Sequence, residues 1–287
     1  MPTWSSVRGA YARGGLRGVV TATRRRVARR LGRRPGGGRR SSATTTSPDG
    51  SRGRVTAETV DRSGALAFFE ARRAVYEGLA DAVAPFLPRD GVLLDVGANI
   101  GFFTQVLTER TGFRGRAHLF EPVPNLADLC VETAARLPCA VTVHRVGLGD
   151  ADARVTIFVS SDGNLGWNTM VEQKARGKQM APVEVEVARF DDLGLADVPD
   201  LVKIDVEGAE HRVLTGMLPA LRRWSPRPVI LCEVGWGSGH PEWEQELAAF
   251  AALAALGYET CHVDGVPLDV RDLRRTTDVL FVPRRGA

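Results

Sequence analysis

The chain is predicted to fold as an α/β protein: an open, mostly parallel sheet with helices on both faces and an antiparallel pair at one edge. Three observations carry this. Strand-like and helical runs alternate through residues 64–283. The strand-like runs, VLLDV and PVILCEV among them, are almost wholly apolar, which marks strands buried on both faces. The last two runs, YETCHV and DVLFVP, have no helix between them and read as a hairpin.

Taken in order, the elements follow from local pattern. Residues 1–54 hold 14 Arg, no Lys and one acid, Asp49, so this stretch carries +13; the whole chain is +4, which leaves −9 for the rest. Its second part, RRPGGGRRSSATTTSPDGSRGR, has almost nothing to bury and reads as a disordered linker. Upstream, Leu16, Val19, Val20, Thr23, Val27 and Leu31 fall at helical intervals among arginines. That pattern suits a basic amphipathic helix on an anionic surface, an organellar transit peptide, or an arginine-rich tail with no role. Residues 1–60 are therefore set apart as an arm, and residues 61–287 as one domain.

Leu66, Phe69, Arg73, Tyr76, Leu79, Val83 and Phe86 trace one helical face, closed by Pro88. VLLDV, a helix from residue 101, AHLFE, a helix from about residue 124 and AVTVHRV come next. Two further strand-like pieces, RVTIFVS and VEVEVARF, flank a polar loop. DLVKIDV, a helix through Leu221, PVILCEV and a helix near residues 242–256 complete the alternation before the hairpin. The four cysteines, Cys130, Cys139, Cys232 and Cys261, form no C-x-x-C and suit buried thiols in a reducing compartment. No apolar run approaches ~18 residues, so no membrane span and a cytoplasmic location are expected.

Open parallel sheets bind ligands beyond the carboxyl ends of their strands. The first strand leads into DVGANIGFFT, with Asp95 near its end and Gly97 and Gly101 bracketing a turn. A dinucleotide fingerprint wants small residues where Asn99 and Phe102 stand, so a pyrophosphate fits poorly and NAD or FAD is disfavoured. A carboxylate at Asp95, beside the turn, suits a cationic group. Glu121, ending the next strand in FEPVPN, can accept both hydroxyls of a ribose. A nucleoside with a cationic tail and no phosphate describes S-adenosylmethionine, held by Asp95, Gly97, Asn99, Gly101 and Glu121. Val146, Gly147 and Leu148, in the loop after the third strand, offer an apolar wall for adenine, with Asp150 placed for its amine. In the competing reading the glycines only make a tight turn and Glu121 caps a helix.

In DLVKIDVEGAEHRVL, Val202, Ile204 and Val206 alternate with Lys203, Asp205 and Glu207. Three charges on one face of a buried strand are costly unless paired, and Lys203 beside Asp205 compensates in part. Glu210 and His211 open the next helix and can return to the same rim. Glu233, in LCEVG, should open onto the same edge. The rim is expected to gather Asp205, Glu207, His211 and Glu233 for catalysis, with Asp205 also beside the cofactor. A salt-bridge network that only orders the sheet is the alternative. His211, with an unperturbed pKa near ~6.5, leads as general base, ahead of Glu207, Glu233 and Asp205. The acids could instead hold Mg²⁺ or Ca²⁺, although with Lys203 adjacent no metal is expected. The inserted SSDGNLGWNTM, with Asn164, Trp167, Asn168 and Thr169, suits a sugar or macrocycle, or is a solvated loop.

DVGANIGFFT, FEPVPNLADL, KIDVEGAEHRVLTG and the closing DVLFVP, in this order within residues 90–284, resemble the FkbM family of S-adenosylmethionine-dependent methyltransferases. The resemblance implies a class I methyltransferase (Rossmann-like) fold: a seven-stranded, mostly parallel sheet with an antiparallel last strand. It also implies O-methylation of a hydroxyl on a sugar, polyketide or related natural product, and hence a small-molecule or glycan acceptor. It does not reach residues 1–60. N-methylation on the same fold, an NAD-dependent oxidoreductase, and a nucleic-acid-binding protein using the basic arm are the rivals. Asn99 and Phe102 oppose the oxidoreductase, and the acidic body opposes specific nucleic-acid binding.

Overall fold

In a computed structural model of the chain, the described residues are 45–46, 52–53, 60–160, 165–166 and 168–284. The chain divides into two units, Met1–Gly53 and Arg54–Ala287. Within the first, Thr45–Thr46 and Arg52–Gly53 pair as a short antiparallel ladder. The amphipathic helix and the rest of the linker expected there lie outside the described residues.

The second unit opens with two helices, α1 (Arg62–Glu70) and α2 (Arg73–Val83), where the apolar pattern suggested one continuous helix. Asp61 starts α1 by accepting the Gly64 N–H at 2.7 Å. The strands are then β1 (Val92–Val96), β2 (Arg116–Phe120), β3 (Ala140–His144), β4 (Gly147–Gly149), β5 (Ala153–Ser160), β6 (Met180–Arg189), β7 (Leu201–Ile204), β8 (Val229–Val234), β9 (Tyr258–His262) and β10 (Thr277–Pro283). Helices α3 (Phe102–Thr111), α4 (Pro124–Ala134), α5 (Glu172–Ala175), α6 (Glu210–Arg223) and α7 (Trp243–Ala255) lie between them.

Seven strands form the central sheet, in the order β9-β10-β8-β7-β1-β2-β3. Strands β8, β7, β1, β2 and β3 are parallel. β10 runs antiparallel between β8 and β9, so the expected hairpin is present with its second strand inserted against β8. The chain builds outward from β1 to β3, then returns to place β7 on the other side of β1. Strand order therefore reverses between β1 and β7, the place where such sheets open a crevice. Leu94, Val96, Val202 and Ile204 pack with Val213 and Leu214 of α6 and Phe250 of α7. The intervening Leu93, Asp95, Leu201 and Lys203 are buried as well, so both faces are covered.

The two inserted pieces, β5 and β6, pair antiparallel, and β4 adds parallel to β6, giving a separate three-stranded sheet. Gly147–Gly149, expected as a loop, is thus a strand. It lies hard against α6: a Cβ on Gly216 would stand 1.9 Å from the Gly149 carbonyl oxygen. Among the described residues no helix is long and apolar enough to cross a membrane. The four cysteines are free thiols, Cys130, Cys232 and Cys261 buried and Cys139 partly so.

Candidate active site

A cavity open to solvent sits at the carboxyl ends of β1, β2 and β7. Among the described residues three non-glycine residues have left-handed backbones: Asn99 (φ 53°), Glu207 (φ 59°) and Trp236 (φ 62°). They follow β1, β7 and β8, so the unusual conformations cluster at the same edge of the sheet. Such backbone is costly for a side-chain-bearing residue and concentrates where function over-determines it. Asn99 and Glu207 both line the cavity.

The turn after β1 is built from its glycine. Gly97 has φ 75°, and a Cβ there would fall 1.9 Å from the Asp205 carbonyl oxygen, so no side chain fits between the two turns. The Gly97 and Ala98 N–H groups both donate to the Phe120 carbonyl at 3.0 Å, tying the turn to β2. Glu121 completes it: its carboxylate accepts the Asn99 N–H at 2.8 Å and the Val123 N–H at 2.9 Å. Burial pushes its pKa up to about 7 against those two bonds, and it lines the cavity. Asn99 in turn donates from its side chain to the Leu165 carbonyl at 2.8 Å, reaching the inserted sheet's loop. Gly101 (φ 77°) stands just before α3, where a Cβ would touch Cys130, Leu119 and Thr133 at 3.4 Å; it serves close packing and is not among the lining residues.

Asp95 departs from expectation. It is fully buried, accepts the Thr104 hydroxyl at 2.7 Å and pairs with Lys203 at 3.3 Å, so its carboxylate faces protein and not the cavity. Lys203 stands 3.4 Å from Asp205 and donates to the Gly97 carbonyl at 3.0 Å, linking both turns. Its attraction to Asp205 and Asp95 outweighs the cost of burial, which keeps the ammonium charged.

The strand β7 ends at Ile204, so Asp205, Val206 and Glu207 occupy a turn and do not extend the alternating face. Three groups clamp that turn. Glu210 Oε1 accepts the Val206 and Gly208 N–H groups at 3.2 and 3.0 Å. The Thr169 hydroxyl donates to the Glu207 carbonyl at 2.6 Å. The His240 Nδ1 accepts the Glu242 N–H at 3.0 Å, which leaves Nε2 as the protonated nitrogen, donating to the Gly208 carbonyl at 3.0 Å. Carboxylate oxygens of Asp205, Glu207 and Glu233 lie within 4.8 Å of one another. Burial, and the charges of Asp205 and Glu207, push the Glu233 pKa up to about 10.

His211 does not join them. It is buried with Nδ1 3.1 Å from Glu246 Oε1 and Nε2 3.7 Å from Glu242 Oε2, both carried by or adjoining α7. The first turn of α6 thus carries Glu210 under the clamped loop and turns His211 toward α7. Val146, Gly147 and Leu148 are also absent from the cavity wall: Leu148 is in the apolar core and Val146 packs against it, because β4 belongs to the inserted sheet. Pro122, Val123 and Ile157 supply apolar wall instead. Asn164 and Trp167 lie outside the described residues; Asn168 lines the cavity and Thr169 holds the turn beneath it. Sequence reasoning missed His240 as a clamp and Tyr76 as a lining residue. A histidine in WGSGH and a tyrosine on a core-like stripe carry no local signal of either role.

Residues 95–260 match the family profile described as "Methyltransferase FkbM domain". "Methyltransferase 1" of Beauveria bassiana is 33% identical over 155 residues, 47% of this chain and 61% of that protein. The "Hexuronic acid methyltransferase AglP" of Haloferax volcanii is 29% identical over 136 residues, 46% of this chain and 52% of that one. The aligned part thus spans between 52% and 61% of the length of these two relatives. Among solved structures, the O-methyltransferase TomG from Streptomyces achromogenes aligns with a TM-score of 0.45 and 13% identity, covering 79% of this chain and 91% of that one.

Proposed function

Because the chain belongs to the FkbM methyltransferase family, we propose that it is an S-adenosylmethionine-dependent O-methyltransferase acting on a hydroxyl of a sugar, polyketide or related natural product. The observation that carries this reading is one cavity joining Glu121, at the end of β2, to Asp205 and Glu207 beyond β7. Among the described residues its charged lining is Glu121, Lys203, Asp205 and Glu207, three acids to one base. A cationic nucleoside finds counter-charge there, while a pyrophosphate would face unpaired repulsion.

When bound, S-adenosylmethionine supplies a methyl group already activated by its sulfonium. Glu121 would hold the ribose hydroxyls, since each of its oxygens keeps a lone pair after accepting a backbone amide. Asn99 and the Gly97 turn fix where that carboxylate stands. Glu207 takes the acceptor's proton; a positioned base contributes about 10²- to 10⁴-fold. Its clamped backbone supports the alignment that an in-line displacement needs, with reacting atoms about 3–3.5 Å apart. Glu233, protonated at neutral pH, holds its proton beside that base and does not compete for a second one. The test is calorimetry with S-adenosylmethionine, followed by S-adenosylhomocysteine release with a panel of sugars, uronic acids and macrolactones. Wild-type protein that binds no S-adenosylmethionine ends the proposal.

The mutual approach of Asp205, Glu207 and Glu233 favours one further reading, a divalent cation that orients the acceptor oxygen. Chelator would then abolish turnover, and added Mg²⁺ or Ca²⁺ would restore it. Turnover indifferent to chelator excludes it.

A further inference from the structure

Tyr76 lies outside the stretch matched by the family profile, on α2, yet it lines the same cavity as Lys203, Asp205 and Glu207. Its electrostatic neighbours are Asp205, Lys203, Glu233 and Asp95, the charged groups of the proposed reacting end. The ring is held in one pose. It meets Phe102 edge-on at 5.2 Å and 83°, and Phe69 at 6.0 Å and 70°. Phe69 and Phe102 are 2% and 1% exposed. Arg73, one turn before Tyr76, is fixed to Glu70 and Glu109 at 2.7 and 2.8 Å, which anchors α2 on α3.

Among the described residues the Tyr76 hydroxyl makes no hydrogen bond, although partly buried phenols ordinarily find a partner. Burial and the nearby carboxylates hold its proton on well above the usual phenol range, so it acts as a donor throughout the neutral pH range. A donor aimed at this end needs an oxygen acceptor. An anionic oxygen is disfavoured, since Asp205 and Glu207 crowd there and Lys203 is already shared by Asp95 and Asp205.

We infer that Tyr76 is a further substrate-contacting residue, whose hydroxyl donates to the uncharged oxygen of the methyl acceptor and so helps select neutral hydroxyl acceptors over those carrying a carboxylate beside the reacting group. This rests on the methyltransferase reading. The acceptor oxygen would give its own proton to Glu207 and receive a hydrogen bond from Tyr76, leaving one lone pair for the methyl carbon. The C–O bond forms as the S–C bond breaks, the sulfur takes that electron pair, and the proton stays on the carboxylate.

The test is Tyr76→Phe, which keeps both ring contacts, compared with wild type in two arms. Calorimetry with S-adenosylmethionine and S-adenosylhomocysteine forms the first. Turnover of a neutral methyl hexoside and of the matching methyl hexuronoside forms the second. The expected result is unchanged affinity for both nucleosides, a loss of about 10- to 100-fold in kcat/KM for the neutral sugar, and wild-type preference for it over the uronoside. Equal loss of affinity for both nucleosides would assign the bond to the cofactor's amino-acid carboxylate and overturn the acceptor assignment. A Tyr76→Phe enzyme as active as wild type, or a wild type preferring the uronoside, would overturn the inference while leaving the methyltransferase reading intact. Wild-type protein that binds S-adenosylmethionine but methylates neither sugar would overturn it too.

Discussion

Glu121 shows how one carboxylate can serve fold and ligand together. It accepts the amides of Asn99 and Val123, so truncation disturbs the turn as well as the cofactor's ribose. Glu121→Ala should weaken S-adenosylmethionine binding by about 10- to 150-fold, from the loss of about 1.5–3 kcal/mol of charge-assisted hydrogen bonding. Calorimetry on folded protein measures it, and an unchanged dissociation constant would remove Glu121 from the site. His211 now carries the opposite expectation. Its partners are Glu246, 1% exposed, and Glu242, so His211→Ala should cost about 1.5–3 kcal/mol of stability and leave kcat unchanged. A folded His211→Ala protein with kcat reduced a hundredfold would return it to the chemistry. The acids Glu121, Asp205 and Glu207 were legible as strand-end carboxylates. The burial of Asp95 was not, because it depends on Thr104 and Lys203 arriving from other elements.

The turn after β7 is the element on which the proposed chemistry depends, and its shape was not legible as such. Reading KIDVE as continuous strand was reasonable, since alternation persists through Glu207. Pairing stops earlier because β1 runs out: Ile204 faces Val96, Asp205 donates the last ladder bond to the Val96 carbonyl at 3.0 Å, and β1 then turns away at Gly97. Freed from the sheet, the chain is held by Glu210, Thr169 and His240 instead. His240→Ala should therefore lower kcat by about tenfold with little change in cofactor affinity, through misplacement of Glu207. His240→Gln, whose amide can still donate to Gly208, should recover most of the rate. Equal kcat in wild type and His240→Ala would show that the clamp is dispensable. The parallel strands and the terminal hairpin, by contrast, were plain in the sequence, because continuous apolar runs leave few alternatives to burial on both faces. Strand β4 was hidden by having two glycines in three residues.

At the scale of the whole molecule, the charge division between residues 1–54 and the acidic remainder separates two questions. Deleting residues 1–54 should leave S-adenosylmethionine affinity, measured by calorimetry, unchanged, because among the described residues the lining of the cavity runs from Phe69 to Glu207; a lower affinity would tie the arm to the site. The domain itself holds its carboxylates in an unusual state. Burial raises Glu121 from 4.5 to about 7, Glu210 from 4.5 to about 8, Glu233 from 4.5 to about 10 and Asp278 from 3.8 to about 6. In the window between each unfolded and folded value, the folded state binds more protons than the unfolded one. Stability therefore falls as pH rises through that window. The half-buried His144 and the buried His240 act oppositely, their pKa values being lowered by loss of solvent, but that effect is confined to the region below about 6.5, where the unfolded imidazoles charge. Between pH 7 and 9 the histidines are neutral in both states, and the sign is set by Glu210 and Glu233 together with the four thiols, all of whose protons burial holds on. Tm should fall across this interval by several degrees, given about 1.4 kcal/mol per pKa unit and roughly 2–4 °C per kcal/mol for a domain of this size. Glu233→Gln, which cannot ionise, should flatten the decline. A Tm that is level or rising from pH 7 to 9 in the wild-type protein would mean that these carboxylates are already ionised in the folded state, and that the rim beside Glu207 is more open to water than its geometry implies.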